Sequence, residues 1–382
     1  MSKLAPRLLH ITRNLPPLVG GMERLNWHLA DELGRVYRIH IVGPSGAAAQ
    51  PPGGSIVDEV SLRPLWRFLL LAAWRAISVA RSWQPDVIFA GSGLTAPIAW
   101  LAACVCDARS VVYLHGLDIA VRHPLYRLFW LPAIRRMDGI VVNSSATRRM
   151  AIERGVPESR ITLVPPGVSL PDGEERRDGL PDFRETYGLG NGPILLSVGR
   201  LTERKGLREF VRDVLPQIAA SYPDVQLVVI GDAAGDALAA RSQTPDSIRA
   251  VANSTGLAGQ LHFIGVITDR LLLSSAYNAA SVHVFPVREI PDDPEGFGMV
   301  AIEAAAHGLP TAAYATGGIV DAVSDGVSGY LAAPGDAAAL AGGVLQLLAK
   351  PLDTEPMRAF AGQFAWSRFG ERLRVALQPK AE

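Results

Sequence analysis

Short apolar runs alternate along the whole chain with longer stretches whose apolar positions recur every three or four residues. In the first half, Leu8–Ile11, Ile39–Val42, Val87–Phe89, Ser110–Leu114, Ile140–Val142 and Ile161–Val164 read as strands of a buried parallel sheet, apolar on both faces. Between them, Met22–Arg35, Leu65–Trp83 and Leu94–Cys106 have helical length and spacing. A second series follows, with strands expected at Ile194–Val198, Gln226–Ile230, Leu261–Ile264, Val282–Phe285 and Thr311–Ala313. Strand–helix–strand alternation of this kind predicts a doubly wound α/β sheet, here formed twice.

Pro165-Pro166-Gly167 and then Pro171 to Gly179 interrupt the alternation with turn formers and charge, as a linker between domains does. Domains over residues 1–170 and from 171 onward are expected, and a chain of 382 residues exceeds what one core usually serves. Asp232–Ser254, polar and alanine-rich, reads as a surface insertion with some helix. Ligands of doubly wound sheets bind beyond the carboxyl ends of the strands, so a shared ligand is expected in a cleft between the domains.

Composition adds boundaries. Hydrophobic content of 48% and charged content of 19% fit a soluble globular protein. No window reaches the roughly 18 uncharged apolar residues that a membrane-spanning helix needs. Met1 to Arg7 lack the apolar region of a signal peptide, so a cytoplasmic location is expected. Cys104 and Cys106, in an apolar stretch without His or Cys neighbours, read as buried thiols. Formal net charge is zero, but residues 1–170 carry 19 Lys and Arg against 11 Asp and Glu, a net of +8, and the remainder a net of −8. A basic first half suits a phosphate-bearing acceptor or an anionic membrane surface; differing solvated faces are the plainer explanation. No nucleic acid is expected among the partners.

The chemistry concentrates in Asp293-Pro294-Glu295-Gly296-Phe297-Gly298-Met299-Val300-Ala301-Ile302-Glu303. A strand leads into a polar loop, Glu295 precedes two glycines that allow a tight turn, and a helix starts at Gly298. The free N–H groups and positive dipole end of its first turn suit a diphosphate. Glu303, one to two turns in, is placed to accept hydrogen bonds from ribose hydroxyls, and Glu295 lies on the sugar side. A capping Glu and an exposed Glu on an ordinary helix would give the same spacing. Gly199-Arg200-Leu201-Thr202-Glu203-Arg204-Lys205-Gly206 follows the first strand of the second series, with Lys205 expected at a helix start. Two cations there can neutralise a diphosphate as it departs.

In the first half, Gly20-Gly21-Met22-Glu23 opens a helix, and paired glycines let the backbone approach a ligand. The pattern is not Gly-x-Gly-x-x-Gly, which disfavours a nicotinamide site. His115 closes a strand ahead of Gly116-Leu117-Asp118 and points into the presumed cleft.

Together these motifs resemble glycosyltransferase family 4, retaining enzymes of the GT-B fold, with two facing Rossmann-like domains, parallel sheets and an inter-domain cleft. The likeness runs from Gly20-Gly21 through His115-Gly116, Asn143-Ser144, Gly199-Arg200 with Lys205, and Glu295 to Glu303, to Gly317-Gly318 and Gly326 to Leu331. It implies His115, Arg200, Lys205 and Glu295 as catalytic residues. It places Gly21, Gly296, Phe297, Gly298, Met299, Val300 and Glu303 against the donor, and Gly20, Glu23 and Asp118 toward the acceptor. It also implies an acceptor-binding domain over 1–170, a nucleotide-sugar-binding domain over 171–365, and a last helix within 366–382 that crosses back onto the first domain. Pro166-Gly167-Val168-Ser169 departs from the family's frequent Asn-Gly-Val-Asp, and the loop from Arg288 to Pro294 is longer than a minimal version.

The implied reaction moves a sugar, of mannose or rhamnose type, from a GDP- or UDP-linked donor to a glycan or polyprenyl-diphosphate-linked acceptor in cell-surface polysaccharide or glycolipid assembly. No Asp-x-Asp motif stands at a strand end, so no metal or other cofactor is expected, and Arg200 and Lys205 take the metal's task. The acceptor hydroxyl is expected to attack the face the diphosphate leaves, with a departing phosphate oxygen as base. Trp66, Phe68, Trp74 and Trp83 alternate with Arg63, Arg67, Arg75 and Arg81, and Arg122–Met137 mixes Tyr126, Phe129 and Trp130 with four arginines. Either stretch suits peripheral contact with an anionic membrane or packing against a sheet. A nucleotide-sugar epimerase or phosphorylase-like enzyme of the same architecture, and a non-catalytic nucleotide-sugar sensor, are the alternatives; the presence of both Glu295 and His115 speaks for an enzyme.

Overall fold

A computed structural model describes residues 5–172, 180–233 and 242–378. The chain divides into two compact units, residues 1–167 with 366–382, and residues 168–365.

The first unit is built on seven parallel strands, β1 (Arg7–Ile11), β2 (Arg38–Pro44), β3 (Ile56–Val60), β4 (Val87–Ala90), β5 (Arg109–Leu114), β6 (Gly139–Val142) and β7 (Ile161–Leu163). Their spatial order is β3-β2-β1-β4-β5-β6-β7. Alternation along each strand feeds two cores. Leu9, Ile11, Val112 and Leu114 face helices Leu65–Trp83, Ala96–Cys106 and Leu131–Arg136. Leu8, Val111 and Tyr113 face helices Gly21–Gly34 and Trp366–Leu377. The last helix sits close because Gly370 carries no side chain; a Cβ there would stand 2.7 Å from Glu32 Oε2. Strand β3 escapes the hydrophobic reading because it is an edge strand with Asp58 and Glu59 at its centre.

Cys104 and Cys106 correct an expectation: Cys104 is exposed and Cys106 only partly covered. Positions two apart on a helix point about 200° apart, so both cannot face one core.

The second unit carries six parallel strands, β8 (Ile194–Val198), β9 (Gln226–Ile230), β10 (Leu261–Gly265), β11 (Val282–Phe285), β12 (Thr311–Tyr314) and β13 (Gly329–Ala332), in the order β10-β9-β8-β11-β12-β13. Strand β13 was not among the expected runs. It is four residues long and begins with a glycine whose Cβ would stand 2.0 Å from Thr311 O. Of the expected insertion, residues 234–241 lie outside the described residues, and its helix is Pro245–Ser254, capped by Thr244 accepting from Ser247 N at 3.2 Å. Of the linker, 173–179 lie outside them as well. Val168 N donates to Phe364 O at 2.7 Å, tying the two ends of this unit together.

Each sheet reverses its winding once, between β1 and β4 in the first unit and between β8 and β11 in the second. The carboxyl edges of those strand pairs are where a doubly wound sheet binds ligands.

Candidate functional site

At the reversal in the second unit, β8 gives way to Gly199, whose φ of 134 a side chain would resist. Arg200 is exposed, and no hydrogen bond or ion pair holds it among the described residues. Residues Glu203–Lys205 form one 3-10 turn, stopped by Gly206 at φ 68 before helix Leu207–Asp213. Lys205 therefore ends a turn and does not start a helix as expected. Gly206 lets that turn press onto the exit of β11, since a Cβ there would stand 2.2 Å from Pro286 O. The result is a bridge across the reversal: Lys205 Nζ donates to Glu295 Oε2 at 2.8 Å and lies 4.4 Å from the Phe285 ring centroid.

Arg204, which the sequence reading passed over, holds the same loop. It donates to Asp293 Oδ1 at 2.7 Å and to Pro294 O at 3.1 Å. Its Nε stands 3.2 Å from Glu295 Oε2, within ion-pair range but not aligned for a hydrogen bond. From below, Gly317 and Gly318 bed the loop. Gly318 N donates to Glu295 O at 2.9 Å, and a Cβ on Gly318 would stand 2.1 Å from Gly296 O.

Burial pushes the Glu295 carboxyl upward, but Lys205 and Arg204 outweigh it and hold its pKa down at about 2. Burial lowers Lys205 from the ordinary lysine range, with Glu295 opposing. A carboxylate fixed by two cations is a stiff acceptor for hydroxyls and not a proton donor near neutral pH.

Helix Met299–His307 starts beside this cluster. Gly298, at φ 102, allows its backbone onto the Phe285 ring that Lys205 also touches; a Cβ there would stand 2.9 Å from that ring. No side chain caps the helix, so its first N–H groups are open to an anion. Met299 and Val300 are half-buried in that first turn. The Phe297 ring, only 3% exposed, packs against Phe364 in the core, which leaves its backbone for any ligand. Glu303 is 8% exposed and accepts from the Tyr277 hydroxyl at 3.3 Å. Tyr277 is in turn stacked on His307, whose Nδ1 pairs with Glu303 O at 2.9 Å.

The corresponding edge of the first unit carries different chemistry. His115 leaves β5 and donates from Nε2 to Gly91 O at 2.9 Å; a carbonyl accepts only, so Nε2 carries a proton in this contact. Its backbone N–H donates to Asp118 Oδ2 at 3.1 Å, so Asp118 fixes the turn after the strand. Gly93, after β4, fits against Asp118 and Tyr126, where a Cβ would stand 2.7 and 2.8 Å away. Gly91 and Gly93 are further residues that the sequence reading missed, although Gly-Ser-Gly directly after a strand is a readable signal. Gly20 caps and Gly21 starts helix Gly21–Gly34. Glu23 folds back over Gly20 and accepts from Asn14 Nδ2 at 2.6 Å.

The structure thus joins Lys205, Glu295, Gly298 and Glu303 at one edge, with Arg200 beside them. It joins His115, Asp118 and Gly91 at another. Among the described residues, no group of three or more His, Cys, Asp or Glu side chains is arranged to hold a metal ion.

Two family models match: glycosyl transferases group 1 over residues 192–350, and Glycosyltransferase Family 4 over residues 19–171. The D-inositol 3-phosphate glycosyltransferase of Geodermatophilus obscurus is 33% identical over 78% of this chain and 67% of its own. The chain belongs to glycosyltransferase family 4. A GDP-mannose-dependent alpha-(1-6)-phosphatidylinositol monomannoside mannosyltransferase of Mycolicibacterium smegmatis is 27% identical over 98% of this chain and 99% of its own. Among solved structures, Anabaena HepE in complex with UDP superposes with a TM-score of 0.79 at 19% identity, over 97% of this chain and 99% of that one. Its likeness confirms the GT-B fold of two parallel Rossmann-like sheets. Family 4 membership makes the chain a nucleotide-sugar-dependent hexosyltransferase, and the epimerase and sensor readings are not favoured.

Proposed function

We propose that this family 4 enzyme is a retaining transferase acting on a lipid-linked acceptor, with a GDP-linked sugar of mannose or rhamnose type as preferred donor and UDP-linked sugars as the second choice. The observation that carries the reading is the Lys205–Glu295 bridge across the β8/β11 reversal, next to an uncapped helix start. In this reading the unit formed by 168–365 binds the donor. Lys205 and Arg200 neutralise the diphosphate, aided by the N–H groups of Gly298, Met299 and Val300. Gly296, Phe297 (through its backbone) and Glu295 contact the sugar, and Glu303 holds the ribose. The unit formed by 1–167 and 366–382 serves the acceptor through Gly20, Gly21, Glu23 and Asp118, with His115 beside the sugar.

The acceptor oxygen forms its bond to the anomeric carbon as the carbon–phosphate oxygen bond breaks. The hydroxyl proton passes to the departing phosphate, and the configuration is kept. The cations supply the leaving-group stabilisation, so no metal is required. Likeness to an enzyme whose printed substrate is a phosphatidylinositol mannoside supports a lipid-linked acceptor. No helix among the described residues is long and apolar enough to cross a membrane, so contact with the cytoplasmic leaflet would be peripheral.

A thermal-shift series with GDP, UDP and ADP and their sugars tests the donor, followed by NMR of the product anomer. Stabilisation by GDP-mannose or GDP-rhamnose above the others and a retained anomer are expected. Stabilisation by ADP-sugars alone, or an inverted product, would sink this assignment.

A further inference from the structure

Helix Leu65–Trp83 carries two apolar stripes. Phe68, Ala72 and Ala76 are fully buried on the sheet. Trp66, Leu70 and Trp74 share that four-residue spacing but start two positions earlier, a rotation of about 200° on an α-helix, so they point away from the core. They are 64%, 64% and 63% exposed. Helix Ala96–Cys106 packs alongside, and the segment Tyr126–Trp130 with helix Leu131–Arg136 packs alongside that. In this segment Tyr126 and Trp130 stack on each other, and Trp130 Nε1 donates to Leu94 O at 2.9 Å, which turns both rings toward the fold. Leu128 and Phe129 are left outside, 64% and 58% exposed. A surface helix normally turns polar residues outward, and bulky apolar groups at both margins of one layer mark a contact surface.

Charge decides what covers it. Residues 61–85 and 119–137 contain no Asp or Glu, while Arg67, Arg81 and Arg127 are exposed. A second copy docking by this face would set arginines against the same arginines, because a two-fold contact pairs a patch with itself. Lipid phosphates accept guanidinium groups, and indole and phenyl rings settle at the headgroup level of a bilayer. We infer that the outer side of this helical layer is the docking surface for an anionic lipid bilayer, with Trp66, Leu70, Trp74, Leu128 and Phe129 inserting and Arg67, Arg81 and Arg127 on the headgroups. The inference rests on the peripheral-membrane part of the proposed function and gives that contact its location.

Co-sedimentation of the full chain tests it, using vesicles of phosphatidylcholine alone or mixed with phosphatidylglycerol. The chain is expected to bind the mixed vesicles at low salt, to bind neutral ones weakly, and to be released by salt. The double variant Trp66→Ser, Trp74→Ser is expected to lose at least about tenfold in vesicle affinity. Arg67→Glu with Arg127→Glu should lose as much on the mixed vesicles only. Both should keep the parent's melting temperature and its transfer to a water-soluble acceptor. No sedimentation of the parent at low salt, or unchanged binding in both double variants, overturns the inference. So does a parent dimer that Trp66→Ser, Trp74→Ser turns into monomer with vesicle binding intact. Failed transfer to any soluble acceptor would count against the catalytic reading and leave the vesicle result standing.

Discussion

The two strand-exit edges of this molecule are built on the same topological reversal and hold their loops in different ways. In the second unit, the edge is crowded with ions: Lys205 and Arg204 close on Glu295, and glycines bed the loop that carries it. In the first unit, the edge is fixed by contacts to the backbone, His115 to a carbonyl and Asp118 to an N–H. The contrast teaches that one fold supplies two kinds of site. Stiff opposite charges suit a departing diphosphate, and an imidazole with glycine on the neighbouring strand exit suits hydroxyls.

The largest expected effect bears on the charged edge. Lys205→Ala should lower kcat/KM about 10² to 10³-fold, since a preorganised cation at a leaving group is worth that much. His115→Ala should cost about tenfold, at the lower end of what one positioned polar group contributes. Nucleoside diphosphate release, with melting curves to show intact folding, measures both. Equal losses would erase the distinction between the edges.

Next comes the bedding. Gly318→Ala places a methyl 2.1 Å from Gly296 O, against backbone that cannot step aside, and should cost about 1–3 kcal/mol of stability together with turnover. Gly93→Ala meets Asp118 and Tyr126 side chains, which can give way, so a smaller loss is expected in chemical denaturation. The reverse order would mean that the first unit's edge is the stiffer one.

Glu303→Gln should raise the donor KM up to about tenfold with kcat nearly unchanged, as loss of a charge-assisted hydrogen bond to a bound hydroxyl does. Tyr277→Phe should raise it about two- to threefold. A loss confined to kcat in either would move Glu303 from binding into the chemistry.

The last comparison is with acid. The Glu295 pKa is depressed from 4.5 to about 2 on folding, so its contribution to stability is complete above pH 4.5 and fades as pH falls toward 2. Unfolding midpoints followed down this window should fall more steeply for the parent than for Glu295→Gln. Parallel slopes would show that the ion pair is not maintained in solution.

Most of the fold was legible because buried parallel strands write themselves as apolar runs, as at Ile194–Val198 and Gln226–Ile230. Strands interrupted by charge or opened by glycine do not, which is why Ile56–Val60, with Asp58 and Glu59, and the four-residue Gly329–Ala332 were passed over. Local motifs showed which residues flank each strand end, but the Lys205–Glu295 contact spans ninety positions of sequence, and only the strand order brings them together. Arg204 was illegible for the same reason. Its three neighbours are all in a loop after a different strand, and nothing in Glu203-Arg204-Lys205 says which cation turns inward. Helix Leu65–Trp83 was legible in extent, yet the side its tryptophans take depends on which stripe meets the sheet. Phe68 won that place.

The contact between Lys205 and Glu295 has a consequence for selectivity. A lone ammonium at a strand exit would attract any small oxyanion, whereas here a carboxylate stands 2.8 Å from it before a ligand arrives. Inorganic phosphate or sulfate gains little from a cation already neutralised and is repelled by Glu295. In the proposed donor site, an intact donor would bring uncharged hydroxyls to that carboxylate while its diphosphate reaches the ammonium and the helix start. On that proposal, the arrangement would favour a sugar still joined to its nucleotide over the simple anions that outnumber it, and disfavour the spent diphosphate once the sugar has gone.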